Sequence, residues 1–120
     1  MGNKYEYQNV NEVGEVTNDS ANLTLIENPG SAVYINVEQV VISVYKAASG
    51  SGGYVRVQDT DGGVIWTVPA DGVGVYPLDL GTEGVQIGPN RGVQVITAGA
   101  GTEQASASVA FTGHRTFRAS

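Results

Sequence analysis

The chain contains one histidine, His114, which is the first residue to consider as a catalytic group. A Ser–His–Asp triad needs a histidine that a carboxylate orients and that faces a nucleophilic serine. No Gly-x-Ser-x-Gly motif is present to expose such a serine, and His114 follows the end of the last predicted strand. We therefore interpret His114 as a surface or interface residue and expect the chain not to be an enzyme.

The segment Asp59-Thr60-Asp61-Gly62 begins like a calcium-binding loop. An EF-hand also needs an oxygen ligand at its fifth position, a glycine at the sixth and a glutamate at the twelfth. Gly63, Val64 and Ala70 occupy these positions, so the pattern fails. The Asp-Gly pair is instead a strong signal for a β-hairpin turn. We predict a hairpin here and no metal or other cofactor, while a loose calcium site shared with another loop stays open.

Aromatic residues suggest a second kind of site. Stacked aromatic side chains can bind sugars, but aromatics on strands also fill cores and subunit interfaces. Both interpretations apply to five residues of the predicted strands, namely Trp66, Tyr34, Tyr45, Tyr54 and Tyr76.

Cations and aromatics occur together at both termini, in residues 4–7 and 114–118. This combination suits docking to another protein, since the aromatic adds buried area and the cation adds orientation. Residues 40–47 are apolar on both faces of a predicted strand, which indicates either a central strand covered on both faces or cover from a partner subunit. The predicted protein-contact residues are Lys4, Tyr5, Tyr7, Val41, Tyr45, His114, Arg115, Phe117 and Arg118.

Composition limits the possible functions. The chain has 120 residues, enough for one domain with a core of its own. The absence of cysteine excludes disulfides, thiolate metal sites and a cysteine nucleophile. The formal net charge is −6, from 12 acidic and 6 basic residues, which disfavours binding to nucleic acid or to anionic membranes.

Turn signals recur at roughly ten-residue spacing between short segments of alternating polarity, as in antiparallel sandwiches and barrels. We predict an all-β, antiparallel, jelly-roll-like sandwich of about eight strands over residues 21–113. An extended arm over residues 1–20, or a disordered terminus, precedes it, and a tail over residues 114–120 follows. The predicted strands are 21–27, 32–37, 40–47, 54–59, 64–68, 73–80, 85–87, 93–98 and 104–112.

A succession of short motifs extends over residues 40–115, about two-thirds of the chain. In order, they are Val40-Val41-Ile42-Ser43-Val44, Tyr54-Val55-Arg56-Val57-Gln58-Asp59, Ile65-Trp66-Thr67-Val68-Pro69, Pro77-Leu78-Asp79-Leu80-Gly81, Gly84-Val85-Gln86-Ile87, Gly92-Val93-Gln94-Val95 and Thr112-Gly113-His114-Arg115. This rhythm of strands and turns resembles the jelly-roll decoration (cement) proteins of tailed-phage heads.

The resemblance implies a fold and a role but no catalytic residue. Proteins of that family commonly sit as trimers at three-fold or quasi-three-fold positions and clamp neighbouring capsomers. The implied partners are further copies of this chain and the major capsid protein, and the implied location is the exterior of a virion assembled in the host cytoplasm. The alternative function is a carbohydrate-binding or receptor-binding module of a phage tail or fibre.

Overall fold

A computed structural model of the chain describes residues 4–17, 22–28, 30, 33–50, 52–81, 84–98 and 105–119. No helix that could span a membrane occurs among these residues. The strands are β1 (Lys4–Thr17), β2 (Asn22–Ile26), β3 (Val33–Lys46), β4 (Tyr54–Asp59), β5 (Val64–Pro69), β6 (Gly74–Asp79), β7 (Val85–Ile87), β8 (Val93–Ala98) and β9 (Ser106–Ala119).

Two antiparallel sheets form the sandwich. The large sheet has the order β1-β9-β3-β6, with β7 also paired to β3, and the small sheet has the order β2-β8-β4-β5. The pairing is nested: β1 pairs with β9, β2 with β8, β3 with β6 and β7, and β4 with β5. Successive strands from the two ends of the chain thus meet, as in a jelly roll, and the predicted fold class is confirmed.

The core lies between the sheets, and β3 supplies much of it. Its buried side chains are Val33, Ile35, Val37, Val40, Ile42 and Val44. The first three are odd-numbered and the last three even-numbered, although alternate residues of a strand point to opposite faces. A β-bulge between Val37 and Gln39 resolves this, because the extra residue, Glu38, shifts the alternation by one. The two strands predicted at 32–37 and 40–47 are therefore one bent strand.

The two terminal strands differ from their predictions. Residues 4–17 form β1, which pairs with β9 from Lys4↔Ala119 to Thr17↔Ser106. Strand β9 also continues beyond Thr112, where the predicted strand ends. Much of this pairing joins polar segments through backbone hydrogen bonds, which leave no apolar alternation in the sequence. The division into an arm, a sandwich and a tail stays a prediction.

The hairpin predicted at Asp61-Gly62 is confirmed. Strands β4 and β5 pair across this turn, the Asp59 amide donates to the Gly63 carbonyl at 2.8 Å, and the Gly62 amide donates to the Asp59 carbonyl at 3.0 Å. Gly62 has a φ of 93°, in the left-handed region that favours glycine.

Candidate docking surface

An apolar row crosses the outer face of the large sheet, the face turned away from the small sheet. Val13 of β1 lies opposite Ala110 of β9, Ala110 opposite Val41 of β3, and Val41 opposite Pro77 of β6. Directly paired residues of antiparallel strands point to the same side, so the four side chains are neighbours. Val13 is 76% exposed, although its neighbours on this row are also apolar.

The next row on the same face is polar except at its β6 end. It contains Glu15, Ser108, Ser43 and Val75, in that order across the sheet. Val75 is 66% exposed. We call the five residues Val13, Val41, Val75, Pro77 and Ala110 the outer apolar patch. An exposed apolar surface that spans four strands is typical of a binding face.

The outer face of the small sheet carries a cation as well as the exposed Val64. Arg56 of β4 lies at its centre, where its guanidinium carbon is 4.4 Å from the centroid of the Tyr54 ring. The Arg56 Nε also donates a hydrogen bond to the Thr67 hydroxyl at 3.2 Å. Arg56 therefore has partners within the chain. The outer face of the small sheet differs in this way from the outer apolar patch of the large sheet.

A hydrogen bond between two side chains lies along one side of the outer apolar patch. The Tyr45 hydroxyl on β3 donates to the Glu15 carboxylate on β1, across the intervening strand β9. β9 presents the small Ser108 directly opposite Glu15. The carboxylate accepts a hydrogen bond from the neutral phenol and thereby raises the pKa of Tyr45, with smaller contributions from burial and from the charge of Glu15.

A pocket of about 260 Å³ lies on the other side of the patch. Its lining residues are Glu38, Gln39, Asp79, Gly81 and Thr112. Thr112, Gln39 and Asp79 form the row next to Ala110, Val41 and Pro77, so the pocket adjoins the patch directly. Asp79 accepts a hydrogen bond from the Gly81 amide at 2.8 Å, which fixes its carboxylate at the rim.

Glu38 enters this pocket because it is the extra residue of the β3 bulge. Its carboxylate lies 2.8 Å from the Nδ1 of His114, with side-chain exposures of 33% for Glu38 and 19% for His114. His114, on strand β9, is therefore in contact with the Glu38 carboxylate of β3, which lines the pocket.

The predicted contact residues do not all lie on one face of the molecule. Val41, Tyr45 and His114 lie on the outer face, while Arg115 lies opposite Ile35, whose side chain is in the core. The terminal segments become neighbouring strands, since β1 carries Lys4, Tyr5 and Tyr7 and β9 carries Phe117 and Arg118. Their backbone pairs include Tyr5↔Arg118 and Tyr7↔Thr116. That these residues contact a partner stays a prediction.

Sequence reasoning did not include several residues of this surface: Val13, Val75, Pro77, Ala110, Glu38 and Asp79. Val13 stands among polar residues of the supposed arm, and its apolar neighbours are remote in sequence. The alternation of Val73, Val75 and Pro77 with inward residues was the available signal, because it makes a second apolar face on β6.

At the proposed calcium site, the two aspartates pair with an arginine of the same chain, Arg91. Arg91 Nε lies 2.9 Å from the Asp61 carboxylate, and another Arg91 nitrogen lies 3.6 Å from that of Asp59. Asp59 also accepts hydrogen bonds from the amides of Asp61 and Gly63 at 2.8 and 3.0 Å. Across the described residues, no group of three His, Cys, Asp or Glu could hold a metal ion.

The five aromatics do not form one platform. Trp66 lies opposite the buried Val57, and Tyr76 opposite the buried Ile42, so both pack against the core. Tyr34, which lies opposite Thr116, and Tyr45 are on the outer face of the large sheet, whereas Tyr54 lies under Arg56 on the small sheet. This distribution supports the core and interface interpretation rather than a sugar-stacking surface.

Comparison with protein families finds no match, and comparison with curated protein sequences finds none either. Among solved structures, the fold is similar to a chain of the acidic stable capsid structure of Helicobacter pylori bacteriophage KHP30. The TM-score is 0.64 at 11% sequence identity, and the match covers 99% of each chain.

Two weaker similarities are to virus structures from animals. For the virus-like particle of the extra small virus of the giant freshwater prawn Macrobrachium rosenbergii, the TM-score is 0.43 at 13% identity, covering 96% of this chain and 80% of that chain. For infectious bursal disease virus strain Gt, the TM-score is 0.39 at 11% identity. That match covers 95% of this chain and 32% of the virus chain. Of these three, the phage similarity alone exceeds 0.5, and it shows a jelly-roll fold shared over the whole chain.

Proposed function

We propose that the chain is a structural protein of a tailed-phage capsid that binds the outer surface of the head as a homotrimer and stabilises the shell. The observation that carries this proposal is the outer apolar patch, which crosses four strands on the outer face of the large sheet. The full-length likeness to a chain of a phage capsid structure supports a capsid as the place where that patch is covered.

The net charge supports an external position. At −6, the chain would be repelled by packaged nucleic acid, whose binding partners supply lysine and arginine to the phosphates. The major capsid protein is the proposed partner on the shell.

Stabilisation would follow from simultaneous contacts. A trimer that touches several shell subunits converts its second and third contacts into intramolecular events, so modest contacts give strong overall binding. Each bound copy favours the shell state to which it binds, by mass action. The chain's contribution is therefore mechanical, and its surface needs no reactive group.

The test uses heads of the phage that encodes the chain, prepared without this protein. The purified chain should sediment with these heads and raise the temperature at which they disrupt. Light scattering after size exclusion should give the mass of three chains at micromolar concentration. A chain that stays in the supernatant at every concentration would contradict the capsid role, and a monomeric mass would contradict the trimer.

A further inference from the structure

We infer that the outer face of the large sheet is the surface that meets the shell, and that the shell protein there presents a lysine or arginine side chain beside an apolar patch. This inference rests on the proposed function and adds the face and the chemistry of its partner.

The apolar part of the face is continuous. The row from Val13 through Ala110 and Val41 to Pro77 crosses four strands, and Val75 lies beside it. Val13 and Val75 remain 76% and 66% exposed, so much of their apolar area is free to be removed from water by a partner.

Three carboxylates border the patch, and the exposed Lys46 lies one row beyond Glu15. Glu15 lies on one side of the row, and Asp79 and Glu38 lie on the other. Complementary charge orients two protein surfaces and selects partners, so the opposing surface should be basic at its rim.

The pocket gives the position of one such cation. It holds about 260 Å³ and is lined by oxygen-bearing side chains of Glu38, Gln39, Asp79 and Thr112. A lysine or arginine is long enough to enter from above the sheet, with its alkyl part against the apolar row. Its charged end would lie between Asp79 and the carboxylate of Glu38, which also contacts the Nδ1 of His114.

A separate protein fits this requirement better than a second copy of the chain. The chain has 6 basic residues, and two of them, Arg56 and Arg91, already bind groups of their own sandwich. Two copies would also bring two surfaces of net negative charge together.

The first experiment measures sedimentation with the heads described above. Val13→Asp and Val75→Asp each introduce a charge into the patch at an exposed position, and we expect head binding to fall more than about tenfold. Val64→Asp is the matched control, since Val64 is 55% exposed but lies on β5 of the small sheet, and it should bind as the unaltered chain does.

The second experiment removes charge from the pocket. Asp79→Asn retains the oxygen that accepts the Gly81 amide, so the turn should be preserved. Combined with Glu38→Gln, it should weaken head binding about tenfold and flatten its dependence on salt. Asp71→Asn combined with Glu27→Gln, both at exposed positions, is the control for the loss of two negative charges alone.

The outcomes separate the inference from the function it rests on. If the unaltered chain does not bind heads, the proposed function fails and the inference fails with it. If the chain binds and the Val13, Val75 and pocket variants bind equally well, the inference alone is overturned. It is also overturned if the patch variants lose the trimer and not the affinity of the chain for heads, because the face would then join copies of the chain.

Discussion

Asp59 shows how one buried carboxylate organises a turn. Its residue exposure is 7%, and its carboxylate accepts the amides of Asp61 and Gly63. The Asp59→Ala substitution leaves those amides without their partner, so the free energy of unfolding should fall by about 1–3 kcal/mol. Urea denaturation followed by circular dichroism measures this change.

The matched control for Asp59 is its neighbour in the same turn. The side chain of Asp61 is 64% exposed and pairs with Arg91 at the surface, so Asp61→Ala should cost less than about 1 kcal/mol. Equal losses in the two variants would show that the amide hydrogen bonds of Asp59 do not stabilise the turn.

Tyr45 provides a pH-dependent signal from the candidate surface. Its hydrogen bond to Glu15 raises its pKa above the ordinary value of about 10 for a tyrosine. The stabilisation from this contact is therefore fully present below that ordinary pKa and is lost as the pH rises through the raised value.

An ultraviolet titration of phenolate tests this assignment. The difference between the unaltered chain and Tyr45→Phe isolates the Tyr45 transition, which should lie above the ordinary value. Glu15→Gln removes the charged acceptor, so the transition should shift to lower pH. A Tyr45 transition at the same pH with and without Glu15 would mean that the hydrogen bond is not made in solution.

At the scale of the strand, the β3 bulge depends on close contact with β9. Gly113 lies opposite Val37, directly beside the bulge, and a Cβ at this position would overlap the backbone oxygen of Asn36. Because backbone atoms must then move, Gly113→Ala should lower the free energy of unfolding by about 1–3 kcal/mol.

The control is Gly72→Ala, where a Cβ would find open space. This change should alter the free energy of unfolding by no more than about 0.5 kcal/mol. Denaturant midpoints of the two variants, compared at one pH, give the measurement, and an unperturbed Gly113→Ala variant would contradict the close approach.

The strands show what the sequence could and could not predict. Alternating polarity predicts β4 and β8, since alternate residues of each strand are buried. In β5 only Val68 is buried, and the Asp-Gly turn before the strand is the signal that indicates it. The bulge at Glu38 appeared as a gap between two strands, because one extra residue reverses the alternation. β1 was interpreted as an arm, since its binding to β9 depends on backbone groups that every sequence has.

At the scale of the whole molecule, the fold class was predictable and most of the candidate surface was not. Val41 and Tyr45 were identified because β3 is apolar on both faces. Val13, Pro77 and Ala110 join Val41 only after the strands pair, and each looks unremarkable in its own segment. Predicting that row would have required the register of three strand pairs, which composition and alternation leave open.

The length of the molecule follows from the length of the paired strands of the large sheet. The principal extents are 58 × 23 × 17 Å, and the strands β1, β3 and β9 each contain 14 residues. Strands of this length extend for about 46 Å at roughly 3.3 Å per residue, so the large sheet sets the length of the molecule.

The nested strand order also determines how the chain can reach this structure. The β4–β5 hairpin joins residues close in sequence, whereas β1 meets β9 only after nearly the whole chain has been closed into a loop. Contacts between residues so distant in sequence slow folding, because the chain loses entropy on closing the loop before the contacts form and stabilise it. During synthesis, β1 has no strand to pair with until β9 has left the ribosome. The surface that crosses β1, β9, β3 and β6 is therefore among the last parts of this sandwich to form, and its five apolar side chains come together only after β9 has been made.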